Sequence, residues 1–104
     1  MENKKTFYEL MKEKISIPFV YQSHKEVPSI PFISYIGTGQ DTFLADNTIY
    51  ESKNSYRLEY YYKTKNEDTE KELEQAILDL GYLYRKSEDT YIQSEDLFVI
   101  YYEL

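Results

Sequence analysis

The feature that most constrains the fold is a tyrosine-rich stretch, residues 56–64, that runs almost directly into an acidic amphipathic stretch, residues 69–80. Apolar or aromatic residues take every second position of the first stretch: Tyr56, Leu58, Tyr60 and Tyr62. A period of two, built from residues that favour a pleated surface, predicts a strand with one face on a core. The other face, with Glu59, Tyr61 and Lys63, is predicted to be the wetter one.

The second stretch contains the sequence signals for the start of a helix, for its apolar face and for its end. Thr69 and Glu72 have the spacing of a capping box, and Gly81 stands where helices often end through a left-handed residue. Apolar residues recur at i, i+3, i+4 and i+7: Leu73, Ala76, Ile77 and Leu80. These signals predict the main helix at residues 69–80.

Further elements follow from the same rules. A second capping box, Thr6 with Glu9, predicts an N-terminal helix at residues 6–14. Pro18 cannot donate to a ladder, so its stretch is predicted to be an edge strand or an extended arm. Asp46-Asn47 predicts a tight hairpin turn between two short strands. The predicted strands are residues 15–21, 32–36, 42–45, 48–50, 56–64, 82–86, 90–93 and 97–102, with breaks at 37–41 and 53–55.

This order of elements predicts one α+β domain over residues 1–104. Strands outnumber helices and mostly follow one another through short turns, which is typical of a largely antiparallel or mixed sheet. We expect five to seven strands, with the two helices packed on one face.

Composition argues against several classes of function. The chain has no cysteine, so disulfides and thiolate metal sites are excluded. No apolar run approaches the roughly 20 residues that span a bilayer, and the N-terminus lacks the apolar segment of a signal peptide. A formal net charge of −7 disfavours specific binding to nucleic acid or to an anionic membrane. We therefore expect a soluble protein made in the cytoplasm of its host cell.

The candidates for catalysis are weak. His24 is the only histidine, and a Ser-His-acid site needs side chains that converge in space, which its sequence neighbour Ser23 does not provide. Asp41, Asp46 and Asn47 lack the spacing of a calcium loop and are interpreted as turn residues. We predict no catalytic residue, no cofactor, no metal and no enzymatic activity.

The remaining polar candidates lie on the main helix and on the tyrosine strand. The helix acids Glu70, Glu74 and Asp79 are expected to form a solvated face. The chain has thirteen tyrosines and no tryptophan, a composition that favours sheets with one solvent-exposed face and protein interfaces. Tyr61, flanked by Glu59 and Lys63 on the wetter face, is the candidate interface residue.

Several segments together resemble a known family. They are VPSIPFISY at 27–35, FLADNTIY at 43–50, YRLEYY at 56–61, the acidic helix at 67–81 and YIQSE at 91–95. Over residues 17–104 the chain resembles the small tail-completion, tail-terminator or head–tail joining proteins of long-tailed phages and prophages of Gram-positive bacteria.

This resemblance implies a non-enzymatic structural subunit of the virion tail or neck. Its partners would be other phage structural proteins, the tail tube and the head connector, and it would assemble as a homo-oligomeric ring. Carboxylates such as Glu70, Glu72 and Glu74 could then line a lumen that repels DNA. An alternative from the acidic composition is a small inhibitor or regulator that mimics DNA and binds a host protein.

Overall fold

The computed structural model describes residues 5–22, 28–45 and 49–104, with the backbone alone for 41–45 and 49–52. Its elements, in chain order, are α1 (Phe7–Lys14), β1 (Phe19–Tyr21), β2 (Phe32–Ala45), β3 (Ile49–Tyr62), α2 (Glu67–Asp79), β4 (Arg85–Lys86), β5 (Thr90–Ile92) and β6 (Leu97–Glu103). Two helices and a six-stranded mixed sheet confirm the predicted α+β class.

Both helices form where the sequence places them, but one begins earlier than predicted. The Thr6–Glu9 capping box of α1 is present in both directions, as predicted. Helix α2 begins two residues before Thr69, because the Asn66 side chain accepts hydrogen bonds from the amides of Asp68 and Thr69. The predicted Thr69 cap is therefore wrong. Asn66, further upstream, accepts hydrogen bonds from the backbone N–H groups that have no partner within the helix.

The sheet has the strand order β1-β2-β3-β6-β4, and β5 pairs with β6 on the same side as β4. Within the described parts of the chain, β1 and β2 are parallel and the other strand pairs are antiparallel. β1 lies at the edge, as predicted from Pro18, and it is limited to three residues.

One face of the sheet and both helices enclose the core. Met11 of α1 and Leu73, Ala76 and Ile77 of α2 are buried against the sheet. The sheet contributes alternate residues of four strands: Phe19, Ile33, Leu58, Tyr60, Tyr62, Ile100 and Tyr102. Each of these strand residues shares a face through the registers of β1–β2, β2–β3 and β3–β6. Both helices therefore pack on one face, as expected.

The central hairpin is longer than predicted. The predicted breaks at 37–41 and 53–55 are wrong, because β2 and β3 each run for 14 residues and pair from Phe32–Tyr61 to Ala45–Ile49. The register shifts between Gly37 and Gly39, and Gly39 has φ +128. The glycines thus form a β-bulge within one strand, since only glycine takes such a φ without strain. The predicted Asp46-Asn47 turn lies outside the described residues.

The C-terminal strands form where the sequence predicts them, but their lengths differ from the prediction. Gly81 follows α2 with φ +87, which confirms the predicted left-handed stop. Residues 82–84 are not a strand, because β4 contains only Arg85 and Lys86. Tyr82 and Tyr84 instead contact the core from a connecting segment. Alternation of aromatic residues in the sequence is therefore not specific to strands, because it also occurs in a connecting segment that packs against the core.

Candidate functional site

The sheet face opposite the helices is less exposed to solvent than predicted. Glu59 lies on this face and retains only 5% of its exposure, and its cross-strand neighbour Ser34 retains 6%. The Tyr61 hydroxyl donates to Glu59 Oε1, and Arg57 Nε lies 3.4 Å from Glu59 Oε2. The expectation of a wet face is therefore wrong at Glu59, whose burial is compensated by these two donors.

Above this carboxylate the face forms a groove of about 420 Å³. Its floor contains Ser34, Glu59 and the stacked pair of Phe32 and Tyr61, whose ring centroids are 4.9 Å apart at an interplanar angle of 23°. We call this surface the Glu59 groove. Its sides and ends are formed by Val20, Tyr21, Gln22, Pro28, Ile30, Lys63, Glu95 and Leu97.

Tyr61, the predicted interface residue, lies in this groove and is half-buried. Burial raises the pKa of its hydroxyl, and the hydrogen bond to Glu59 raises it further. Tyr61 is therefore a neutral donor at ordinary pH, and its role at an interface stays a prediction. Sequence reasoning missed Glu59 and Ser34 as site residues, although a carboxylate in the middle of an aromatic strand was a usable signal.

A second polar cluster joins α2 to β4 and to the connection between β4 and β5. Glu70 retains 2% of its exposure, with Lys86 Nζ 2.9 Å from Oε1 and Lys65 Nζ 2.7 Å from Oε2. The Lys65 contact is an ion pair without the geometry of a hydrogen bond. Glu74 also pairs with Lys86, at 2.7 Å, and Asp89 pairs with Lys65, at 3.0 Å. We call these five residues the helix–sheet ion network.

This network corrects the prediction of a solvated acidic face. Glu70 is buried rather than solvated because two ammonium groups compensate its charge, whereas Asp79 is exposed as predicted. Glu72 is also engaged, since its Oε1 accepts hydrogen bonds from Ser16 N at 2.6 Å and from Ser16 Oγ at 3.0 Å. Glu70 is therefore unsuited to lining a lumen, as its carboxylate does not face solvent.

The network also sets the protonation of its members. Burial alone would raise the pKa of Glu74, but hydrogen bonds from Lys86 and Tyr102 outweigh it and lower that pKa. The Lys65 ammonium lowers the pKa of Asp89, while the contact with Glu70 raises the pKa of Lys65. Glu74, Asp89 and Lys65 are therefore charged at neutral pH, as structural ion pairs require.

The far part of the β2–β3 hairpin is the third candidate. Beyond Tyr35 on β2 and Arg57 on β3, the two strands pair only with each other among the described residues. We call residues 37–45 and 49–56 the hairpin arm. Its base is held to the domain where Tyr82 Oη donates to Asn54 O at 2.9 Å and Leu104 N donates to Tyr56 O at 2.9 Å. The longest dimension of the chain is 51 Å, against 29 and 27 Å for the others.

Of the remaining sequence candidates, Asp41 alone lies within the described residues. His24, Asp46 and Asn47 lie outside the described residues. Asp41 lies within β2, opposite Lys53, so its interpretation as a turn residue is wrong. In the described part of the chain, no three His, Cys, Asp or Glu residues are grouped so as to hold a metal ion. Over the same residues, no helix is long and apolar enough to cross a membrane.

Comparisons with protein-family models, with curated proteins and with solved structures gave no significant match to this chain.

Proposed function

We propose that the chain is a non-enzymatic structural subunit of the tail or neck of a long-tailed phage, of the kind that caps the tail tube and joins it to the head connector. The hairpin arm carries this proposal. The segments that resemble the tail-completion family include the β2–β3 hairpin, and the arm gives that hairpin a physical use.

The arm is an element that needs a partner. At about 3.3 Å per residue, the nine residues of Gly37–Ala45 extend for about 30 Å. A two-stranded ribbon is marginally stable in water, and its outer edges present unpaired backbone groups that can add to another sheet. The sequence toward the tip is rich in apolar residues: Phe43, Leu44, Ala45, Ile49 and Tyr50. Such an arm is suited to assembly, where a neighbouring subunit covers it.

The alternative of a DNA mimic has less support. A mimic needs an array of free carboxylates at the spacing of phosphates. Glu70, Glu72 and Glu74 are engaged inside the chain by lysine, serine and tyrosine donors, which removes them from such an array. These three acids of α2 thus attach the helix to the sheet and to the segment after α1.

The test is genetic complementation in the phage or prophage that encodes the chain. Deleting the gene is expected to give separate heads and tails, or tails of irregular length, in electron micrographs. The full chain should restore joined particles. A chain with residues 42–52 replaced by Asn-Gly, a pair that favours a tight hairpin turn, should fold but fail to restore them.

A Thr42→Ser, Thr48→Ser chain serves as the matched control, because it keeps the length and the apolar residues of the hairpin. It should complement like the unaltered chain. Infectious, joined particles formed without the gene, or purified particles in which mass spectrometry detects none of this chain, would refute the proposal.

A further inference from the structure

The Glu59 groove combines the three features that recognise a guanidinium group. It has a carboxylate on its floor, two aromatic rings beside that carboxylate, and apolar sides. A planar cation can stack on a ring while its N–H groups donate to a carboxylate. Glu95 adds a second acid at the side of the groove.

Glu59 keeps acceptor capacity for such a ligand. A carboxylate offers about four lone-pair sites, of which Tyr61 and Arg57 occupy two among the described residues. The Arg57 contact is 3.4 Å, longer than the 2.7–2.9 Å typical of strong charge-assisted bonds. Among the described residues, the buried Glu59 carboxylate accepts one short bond from Tyr61 and has one long contact with Arg57, which leaves acceptor positions for a further cation.

From this geometry we infer that the Glu59 groove binds an arginine side chain presented by an extended segment of a partner protein. Arginine fits better than lysine, because its guanidinium is flat, donates in pairs and is more weakly hydrated. A groove of about 420 Å³ also leaves room for residues that flank the arginine.

A second copy of this chain does not fit the groove as well. The chain contains only two arginines, Arg57 and Arg85, and Arg57 already contacts Glu59. Arg85 lies in the short strand β4, paired with β6, rather than in an extended free segment. The acidic groove on a chain of net charge −7 instead matches a basic segment, so the occupant of this groove is a different protein that presents one.

The test uses the isolated chain, so its outcome is independent of the proposed place in a virion. Three capped peptides, Ac-Ala-Arg-Ala-NH2, Ac-Ala-Lys-Ala-NH2 and Ac-Ala-Ala-Ala-NH2, are titrated while backbone amide signals are followed by NMR. The arginine peptide should shift the amides of Ser34, Glu59 and Tyr61. It should bind about tenfold more tightly than the lysine peptide, and the alanine peptide should not bind.

Glu59→Gln is expected to weaken binding of the arginine peptide by about tenfold, while Glu88→Gln, which changes the net charge equally, leaves it unchanged. If Glu59→Gln does not fold, Phe32→Leu replaces it, since loss of the stacking ring should also weaken binding. Equal binding of the arginine and alanine peptides, or unchanged binding by the folded groove variant, would overturn the inference. Self-association abolished by Arg85→Lys in sedimentation experiments would overturn it as well, because the occupant would then be a second copy.

Discussion

The clearest quantitative prediction concerns Glu70 in the helix–sheet ion network. In Glu70→Gln the side chain keeps its shape but loses its charge, so Lys65 and Lys86 lose a buried counter-ion. Breaking a fully buried pair costs about 3–5 kcal/mol, and losing a hydrogen bond to a charged group about 1.5–3 kcal/mol. The lysine side chains are 44% and 35% exposed, so both can return to water, which reduces the cost.

We therefore expect Glu70→Gln to lower the free energy of unfolding by about 2 kcal/mol, and Tm by roughly 10 °C for a domain of this size. Urea unfolding followed by tyrosine fluorescence measures the change, since the chain has thirteen tyrosines and no tryptophan. Glu88→Gln is the control, because Glu88 is exposed and the change in net charge is the same. It should alter the free energy by less than about 0.5 kcal/mol.

Salt separates the two kinds of ion pair. Buried pairs are screened much less than exposed ones, so most of the Glu70→Gln cost should persist at about 1 M NaCl. A cost no greater than that of Glu88→Gln, or one that disappears in salt, would show that the network contributes only as surface charge and would refute this reasoning.

Three further predictions concern pH and the helix ends. The pKa values of Glu74 and Asp89 are held below their ordinary 4.5 and 3.8, so the unfolded chain takes up protons first as the pH falls. The free energy of unfolding should therefore be retained at pH 7 and decrease below about pH 4.5, and Glu74→Gln should flatten that dependence in urea titrations. Asn66→Ala removes the cap of α2 and should cost about 1 kcal/mol in urea unfolding, with faster amide exchange in its first turn; unchanged exchange would contradict the cap. Gly81→Ala should cost about 1 kcal/mol because φ is +87, while an added Cβ would make only an ordinary contact with Lys53 Nζ at 3.9 Å; an unchanged or higher Tm would show that this φ relaxes freely.

Local signals predicted the elements but not their lengths. The Thr6–Glu9 capping box and the left-handed conformation of Gly81 depend on residues that are close together in sequence. The sequence alone therefore specifies them. The glycines near Gly39 were interpreted as a break because glycine weakens strands. Pairing with β3 overrides that preference, and the same residues become a bulge within a 14-residue strand.

The site residues were harder to predict than the elements. Alternation placed Glu59 and Tyr61 on the same face but could not show that this face is partly covered. Glu59 is buried in a groove that is also lined by Pro28, Ile30 and Leu97, which are distant from it in sequence. Glu70 was likewise expected in water, because nothing local to α2 shows that Lys86 approaches it.

The sequence by itself determined the α+β class, the two helices and the core-facing positions of the tyrosine strand and the main helix, because periodicity, caps and turn residues act over short distances along the chain. Tertiary structure alone decided which carboxylates are buried, where the groove lies and how far the hairpin arm extends. Those features depend on which distant segments become neighbours, since burial and ion pairing are properties of that proximity rather than of local pattern.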